Sequence, residues 1–268
     1  MLHRLRRFLA DHWVLGIGLV VLLYLFVPIG VVAAMSFRDA RANAPYTLDN
    51  YKFTLDHWKH PFGVAGIGDA FWLSIGIALL ATLCATVLGT LMSFALARHA
   101  FRGRGATNTL IFLPMATPEI VMGSSLLALF VAAGVPLGFW TVVIAHVMFC
   151  LSFVVVTVKA RLAGLDPRLQ EAAMDLYADE RQTFLRVTLP LVLPGIVAAA
   201  LLSFSLSFDD FIVTNFNSGT TVTFPMFVWG ASQRGIPAQI NVIGTAMFLI
   251  SFLIVLIGQL PRLRRRKA

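Results

Sequence analysis

Three carboxylates interrupt the long apolar stretches of this chain, and they are the residues best placed to do chemistry there. Asp209 and Asp210 lie at the end of one apolar run, and Glu119 follows Pro114 and Pro118 inside another. A carboxylate at membrane depth costs at least ~2.5–3.5 kcal/mol, so such a group usually faces a cavity or a partner. The pattern predicts that Glu119, Asp209 and Asp210 mark a substrate pathway.

Two simpler interpretations stay open for these carboxylates. Neighbouring side chains on a helix point about 100° apart, so Asp209 and Asp210 cannot both face one cavity centre. The apolar run can also end near Phe208 and leave both aspartates in solvent. Glu119 can be a helix-start carboxylate after Pro118, stabilised by the helix dipole.

The residue types needed for catalysis or metal binding do not occur in a suitable arrangement. None of the four lysines follows a glycine, so the phosphate-binding Gly-Lys pair is missing. Cys84 and Cys150 lie inside apolar runs and are interpreted as packing residues. His146 stands alone in a run, where a helix–helix hydrogen bond is favoured over a substrate contact. We therefore predict no catalytic residue, no metal ligand and no cofactor in this chain.

The apolar runs predict an all-α polytopic membrane protein. Of the 268 residues, 58% are hydrophobic and only 13% are charged, which is far from the composition of soluble proteins. A membrane span needs about 20 apolar residues. Six runs meet this length, and we predict six transmembrane helices. They cover residues 13–37, 71–97, 107–134, 139–158, 189–211 and 241–260.

The basic residues predict the orientation of these spans. With both termini on the cytoplasmic side, the inner segments hold 16 of the 21 Lys and Arg residues and the outer segments hold 5. This asymmetry follows the positive-inside rule. The net charge of +8 is therefore interpreted as topogenic, and it does not indicate a nucleic-acid partner.

Residues 159–190 form the one long stretch between apolar runs that is both strongly charged and helical in pattern. Asp166 before a proline predicts one helix start, and Asp179 with Gln182 three residues later predicts a second. The pattern thus indicates two short helices with a bend near Tyr177–Ala178. Such a pair suits docking to another protein, and an ordinary charged loop is the alternative.

Within this stretch, Glu171-Ala172-Ala173 and the later Val187-x-Leu189-Pro190 resemble the EAA loop of binding-protein-dependent ABC importer permeases. The resemblance implies a type I (MetI-like) permease fold in a single domain, 1–268, with its core at 70–260. It also implies that the loop forms coupling helices that sit in a groove of a separate ATPase. Tyr177 stands where the family usually has Gly, and Val187 where it usually has Ile. The coupling residues implied by the resemblance are Asp166, Glu171, Ala172, Ala173, Asp175, Tyr177, Leu189 and Pro190.

A second resemblance concerns the substrate. Residues 202–211, LSFSLSFDDF, together with Phe224-Pro225 and with GIPAQIN at 235–241, resemble permeases of the spermidine/putrescine type. Polyamines are cations at neutral pH, so carboxylates and aromatic faces suit their path. Importers of ferric iron, thiamine or an opine have related subunits and remain alternatives. The pathway residues expected are Asp209, Asp210, Glu119, Phe208 and Phe211.

The implied assembly contains several other chains. The resemblance implies an ABC ATPase dimer that holds ATP and Mg, a second homologous permease and an external substrate-binding protein, all at a bacterial cytoplasmic membrane. A stand-alone secondary transporter is a rival, but no dyad of broken helices is evident in the sequence. A membrane-embedded enzyme is a second rival, and the sequence offers no catalytic set for it.

Overall fold

The computed structural model describes residues 2–39, 51–166 and 168–265, and the regular structure in these ranges is helical. A π-helical turn covers Phe184–Thr188. An isolated antiparallel bridge joins Arg38 and Phe53. The helices are α1 (Leu2–Ser36), α2 (Asp56–Lys59), α3 (Ile67–Arg98), α4 (Arg104–Ala116), α5 (Glu119–Ala132), α6 (Phe139–Ala163), α7 (Arg168–Asp175), α8 (Glu180–Thr183), α9 (Leu189–Asp209), α10 (Ile212–Asn217), α11 (Phe224–Ser232) and α12 (Ala238–Arg265).

The long helices coincide with the predicted membrane spans. Among the described residues, four helical stretches are long and apolar enough to cross a bilayer: Trp13–Ser36, Ile67–Arg98, Phe139–Ala163 and Glu180–Asp209. The bent pair α4 and α5 covers the third predicted run. The apolar part of α12, Ala238–Ile254, overlaps the sixth predicted run. The prediction of an all-α polytopic membrane protein is confirmed.

The third run is not one straight helix. The axes of α4 and α5 differ by 108°. Thr117 between them is extended, with φ −82° and ψ 133°. Pro118 explains the break, because a proline disfavours helical backbone in the residue before it. The earlier Pro114 lies inside α4 without ending the helix.

The chain forms two compact units, and the first comprises residues 1–68 and 228–268. Here α1 packs along α12, with the rings of Phe26 and Phe248 in edge contact at 6.3 Å. Phe37 is stacked between Phe53 at 5.5 Å and Trp58 at 5.3 Å, which ties the polar segment after α1 to the end of that helix. The expectation of a single permease domain stays a prediction.

The second unit, residues 69–227, is built around α6, which is buried along most of its length. One stripe of α3 has only small residues, and all four are buried: Ala81, Ala85, Gly89 and Ser93. The Ser93 hydroxyl donates to the carbonyl of Gly89 at 2.6 Å and to that of Val155 in α6 at 3.1 Å. Small residues at a spacing of four let two helix backbones approach closely without a hydrophobic driving force.

Candidate functional site

The two adjacent aspartates lie at a break in the helix and have opposite environments. α9 ends at Asp209, and Asp210 leaves the helix with φ −64° and ψ 125°. Asp209 is exposed, whereas the Asp210 side chain is 4% exposed. The two carboxylates therefore do not share a surface. In this chain only the Asp209 carboxylate is accessible, and which of the two aspartates faces a substrate pathway stays a prediction.

Asp210 caps the helix that follows it. Its carboxylate accepts hydrogen bonds from the backbone N–H groups of Val213 at 3.3 Å and Thr214 at 2.7 Å. It also accepts from the Thr214 hydroxyl at 2.8 Å. The first N–H groups of α10 have no partner inside the helix, so a carboxylate at this position stabilises it.

His146 of α6 completes the surroundings of Asp210. Its Nε2 lies 3.3 Å from the Asp210 carboxylate and 2.9 Å from the Thr214 hydroxyl, and its Nδ1 lies 2.7 Å from the Ser207 hydroxyl of α9. The imidazole is 2% exposed. The imidazole thus joins α6, α9 and α10 in one buried polar network. The prediction that His146 makes a hydrogen bond between helices is confirmed. Buried polar groups that are fully satisfied specify one packing arrangement.

The aromatic residues beside the aspartates differ in their exposure. Phe208 is buried, and its ring contacts those of Phe71 at 5.9 Å and Phe224 at 6.1 Å. Packing against these two rings holds Phe208, and with it the end of α9, in place. Phe211 is half-buried in the break itself.

Glu119 is the first residue of α5 and is exposed, directly after the 108° bend. α5 packs against α10, where the Asn217 amide donates to the carbonyl of Gly123 at 3.3 Å. A Cβ on Gly123 would lie 2.9 Å from the ring of Phe216, so the two helices are close. The helix that begins with Glu119 and the helix that Asp210 caps are thus direct neighbours.

The charged stretch between α6 and α9 has both predicted helix starts. An Asp166 oxygen accepts from the Arg168 N–H at 3.0 Å at the start of α7, and an Asp179 oxygen accepts from the Gln182 N–H at 2.6 Å at the start of α8. The bend predicted near Tyr177–Ala178 lies between these helices. The two short helices of this stretch therefore form as the local pattern predicts.

The candidate coupling residues are spread along this stretch. Glu171, Ala172 and Asp175 lie exposed on α7, with Ala173 half-buried between them. Tyr177 has φ +61°, the one non-glycine with positive φ in the part of the chain that the structure describes. Left-handed backbone costs an ordinary L-residue roughly 1–2 kcal/mol. Tyr177 therefore replaces the family's usual glycine at a position whose left-handed backbone favours glycine.

The stretch is connected to the spans through the π-helical turn. The Leu189 N–H donates to the carbonyl of Phe184, five residues earlier. The ring of Phe184 contacts Phe94 of α3 at 5.3 Å, and the guanidinium of Arg98 donates to the Thr188 hydroxyl at 3.2 Å. Leu189 and Pro190 then open α9. π-Helical turns frequently occur at functional positions, and this one lies between the exposed helices and the apolar span.

Sequence reasoning missed three features of these sites. Ser207 and Thr214, the hydroxyl partners of His146, carried no signal in the sequence, because their pairing depends on how α6, α9 and α10 pack. The π-helical turn likewise has no sequence signature. The left-handed backbone at Tyr177 did have a sequence signal, because a position that is usually Gly often has positive φ.

Comparison with known proteins agrees with this architecture. The family described as binding-protein-dependent transport system inner membrane component matches residues 85–265. The spermidine/putrescine transport system permease protein PotC of Haemophilus influenzae is 38% identical over 90% of this chain and 93% of its own length. PotC of Escherichia coli is 35% identical, covering 88% and 89%, and the putrescine permease PotI of the same species is 32% identical, covering 87% and 84%.

Solved structures show the same fold at low sequence identity. A bacterial ABC transporter involved in the import of the acidic polysaccharide alginate matches with a TM-score of 0.65 at 14% identity, covering 98% of this chain and 99% of that one. The inward-facing MetNI methionine ABC transporter matches with a TM-score of 0.56 at 15% identity, covering 74% and 95%. The chain belongs to the family of binding-protein-dependent ABC importer permeases, and it is a multi-pass membrane protein.

Proposed function

We propose that this chain is the permease subunit of an ATP-driven importer that moves polyamines such as spermidine and putrescine inward. The observation that carries the proposal is the 38% identity to a spermidine/putrescine permease over 90% of the chain. An exposed carboxylate at the end of an apolar span suits a cationic substrate. Ferric iron, thiamine and opines are the alternative substrates within the same class of importer.

The proposed assembly has two permeases, two ATPase chains and an external binding protein. The family is described as binding-protein-dependent, which supports the last of these partners. ATP and Mg belong to the ATPase chains, and this chain does no bond chemistry. The proposed orientation places both termini and the stretch from 159 to 190 on the cytoplasmic side, in accord with the positive-inside rule.

In this proposal the two aspartates have separate roles. Asp209 attracts the polyamine cation, because its carboxylate is exposed at the end of α9. Asp210 holds the break between α9 and α10, because its oxygens already accept from Val213, Thr214 and the His146 network. Glu119 adds a second exposed carboxylate on the helix that packs against α10. Phe208 positions Asp209 by anchoring the last turn of α9, and Phe211 contributes an aromatic edge at the break.

Coupling to ATP hydrolysis is proposed to run through α7 and α8. Glu171 positions α7 against the ATPase. The other coupling residues in this proposal are Asp166, Ala172, Ala173, Asp175, Tyr177, Leu189 and Pro190. Movement of this segment reaches α9 through the π-helical turn and reaches α3 through the contacts of Phe184 and Thr188. Alternating access then follows from rotation of the spans, with closure of the ATPases opening the pathway outward.

Uptake of radiolabelled spermidine and putrescine tests the substrate. Cells that lack this chain and have no redundant polyamine importer are compared with the same cells after its expression is restored. We expect uptake to be lost without the chain and regained with it. Unchanged uptake would contradict the polyamine assignment and direct the same assay to ferric iron, thiamine and opines.

The variant Asp209→Asn tests the proposed pathway carboxylate. It removes the charge and keeps the size, so we expect polyamine uptake at low substrate concentration to fall about tenfold, as for the loss of ~1.4 kcal/mol of attraction. Asp209→Glu is expected to retain most of the uptake. Asp69→Asn, at an exposed carboxylate of the first turn of α3, serves as the matched control. Normal uptake by the Asn variant at normal expression would exclude the role of Asp209.

A further inference from the structure

The turn that ends α7 has a complete hydrogen-bonded cap. The Tyr177 N–H donates to the carbonyl of Met174 at 2.9 Å, and the Ala178 N–H donates to that of Ala173 at 3.1 Å. These two bonds form a Schellman motif, in which the residue corresponding to Tyr177 adopts the left-handed conformation and is usually Gly. Its φ of +61° places Tyr177 in that conformation. The motif itself therefore gives no reason for an aromatic side chain here.

The side chain of Tyr177 also packs against almost nothing in its own chain. It is 99% exposed, its neighbour Leu176 is 81% exposed, and Met174 is 49% exposed. We call Met174, Leu176 and Tyr177 the turn patch. All three lie between the apolar spans, in a stretch where large apolar side chains gain nothing from exposure to water. Clustered exposed apolar residues mark interaction sites.

The charges around the turn patch indicate what covers it. The residues from 168 to 181 include four acidic side chains and two basic ones in a protein whose net charge is +8. The acidic residues are Glu171, Asp175, Asp179 and Glu180, and all of them are exposed. The cytoplasmic leaflet of a membrane carries negative charge and attracts basic segments. An acidic rim therefore disfavours the lipid surface and favours a protein pocket with a basic rim.

We propose that Tyr177 is a docking anchor, whose ring inserts into an apolar, basic-rimmed pocket on the ATPase subunit and sets how tightly that subunit binds. The inference rests on the proposed function, in which this stretch contacts the ATPase. It goes further by assigning the contact to one side chain. Tyrosine is well suited to such a role, because it offers a large, rigid contact area and is enriched at the centre of interfaces.

A structural role and a docking role of Tyr177 predict opposite effects of the same substitutions. Gly and Asn both accept left-handed backbone more readily than Tyr. If Tyr177 served the turn alone, Tyr177→Gly and Tyr177→Asn would leave function intact or improve it. If Tyr177 docks, both variants lose the anchor while the turn is kept. Tyr177→Phe keeps the ring and is the matched control.

The test uses the whole importer in lipid nanodiscs, with a tag on this chain. The importer ATPase is identified by vanadate-sensitive ATP hydrolysis that copurifies with the tagged permease, and its affinity is measured by titrating the purified ATPase onto permease from which it has been stripped. We expect Tyr177→Gly and Tyr177→Asn to weaken this affinity about tenfold and Tyr177→Phe to stay within about twofold. The thermal midpoint of the permease is expected to be unchanged or raised in the Gly and Asn variants.

Each outcome of this test either supports or overturns the docking role of Tyr177. Wild-type affinity in Tyr177→Gly would overturn the docking role, and so would a loss of affinity that Tyr177→Phe shares in full. Absence of any copurifying ATPase in the wild type would overturn both this inference and the coupling role on which it rests. Failure of polyamine uptake together with Tyr177-dependent ATPase affinity would reject the substrate and support the anchor.

Discussion

Replacing Asp210 with alanine is expected to lower the free energy of unfolding of the permease by ~3 kcal/mol, because two buried backbone N–H groups lose their acceptor and each such loss costs about 1–3 kcal/mol. The Asp210 side chain is 4% exposed. Its loss leaves the N–H groups of Val213 and Thr214 without their acceptor and takes one hydrogen-bond partner from the Thr214 hydroxyl. Thermal unfolding of the purified chain in detergent measures the effect.

Asp209→Ala is the matched control for this prediction, because it removes the adjacent carboxylate from an exposed position. We expect its unfolding free energy to stay within about 0.5 kcal/mol of the wild type. His146→Ala should fall between the two, and the double variant with Asp210→Ala should lose less than the sum of the single losses, since both residues belong to one network. Equal destabilisation by the two aspartate variants would contradict the division of roles.

The second large effect is expected at Gly89, where α3 meets α6. A Cβ built on Gly89 would lie 2.6 Å from Cγ1 and 2.8 Å from Cβ of Val154, which is fully buried. Val154 cannot easily turn away, because a β-branched side chain has one strongly preferred rotamer in a helix. We expect Gly89→Leu to cost ~3 kcal/mol through overpacking, measured as a lower unfolding midpoint and a smaller yield of monodisperse protein.

Gly76→Leu provides the control on the same helix. Nothing lies within 4 Å of a Cβ at Gly76, so this variant should change stability by less than about 1 kcal/mol, with a gain in helix propensity. Val154→Ala in the Gly89→Leu background is expected to restore part of the loss by making room for the new side chain. A stable Gly89→Leu variant would show that α3 and α6 do not approach as closely as the structure indicates.

The sequence by itself determined the class of fold and the starts of the short helices α7 and α8. Apolar runs of span length are sufficient to predict membrane helices, because a polypeptide in lipid must satisfy its backbone hydrogen bonds within the helix. The caps of α7 and α8 were likewise predictable, since Asp166 and Asp179 bond to N–H groups two and three residues away. Signals of this kind are local and need no knowledge of the packing.

The tertiary structure alone decided which of two adjacent aspartates is buried and what surrounds it. Asp209 and Asp210 have the same chemistry and neighbouring positions, so no local pattern distinguishes them. The distinction comes from the backbone break after α9 and from His146, which lies 64 residues earlier and reaches Asp210 only because α6 packs against α9 and α10. A contact across such a distance in sequence depends on how the helices pack, which the spacing of residues along the chain does not specify.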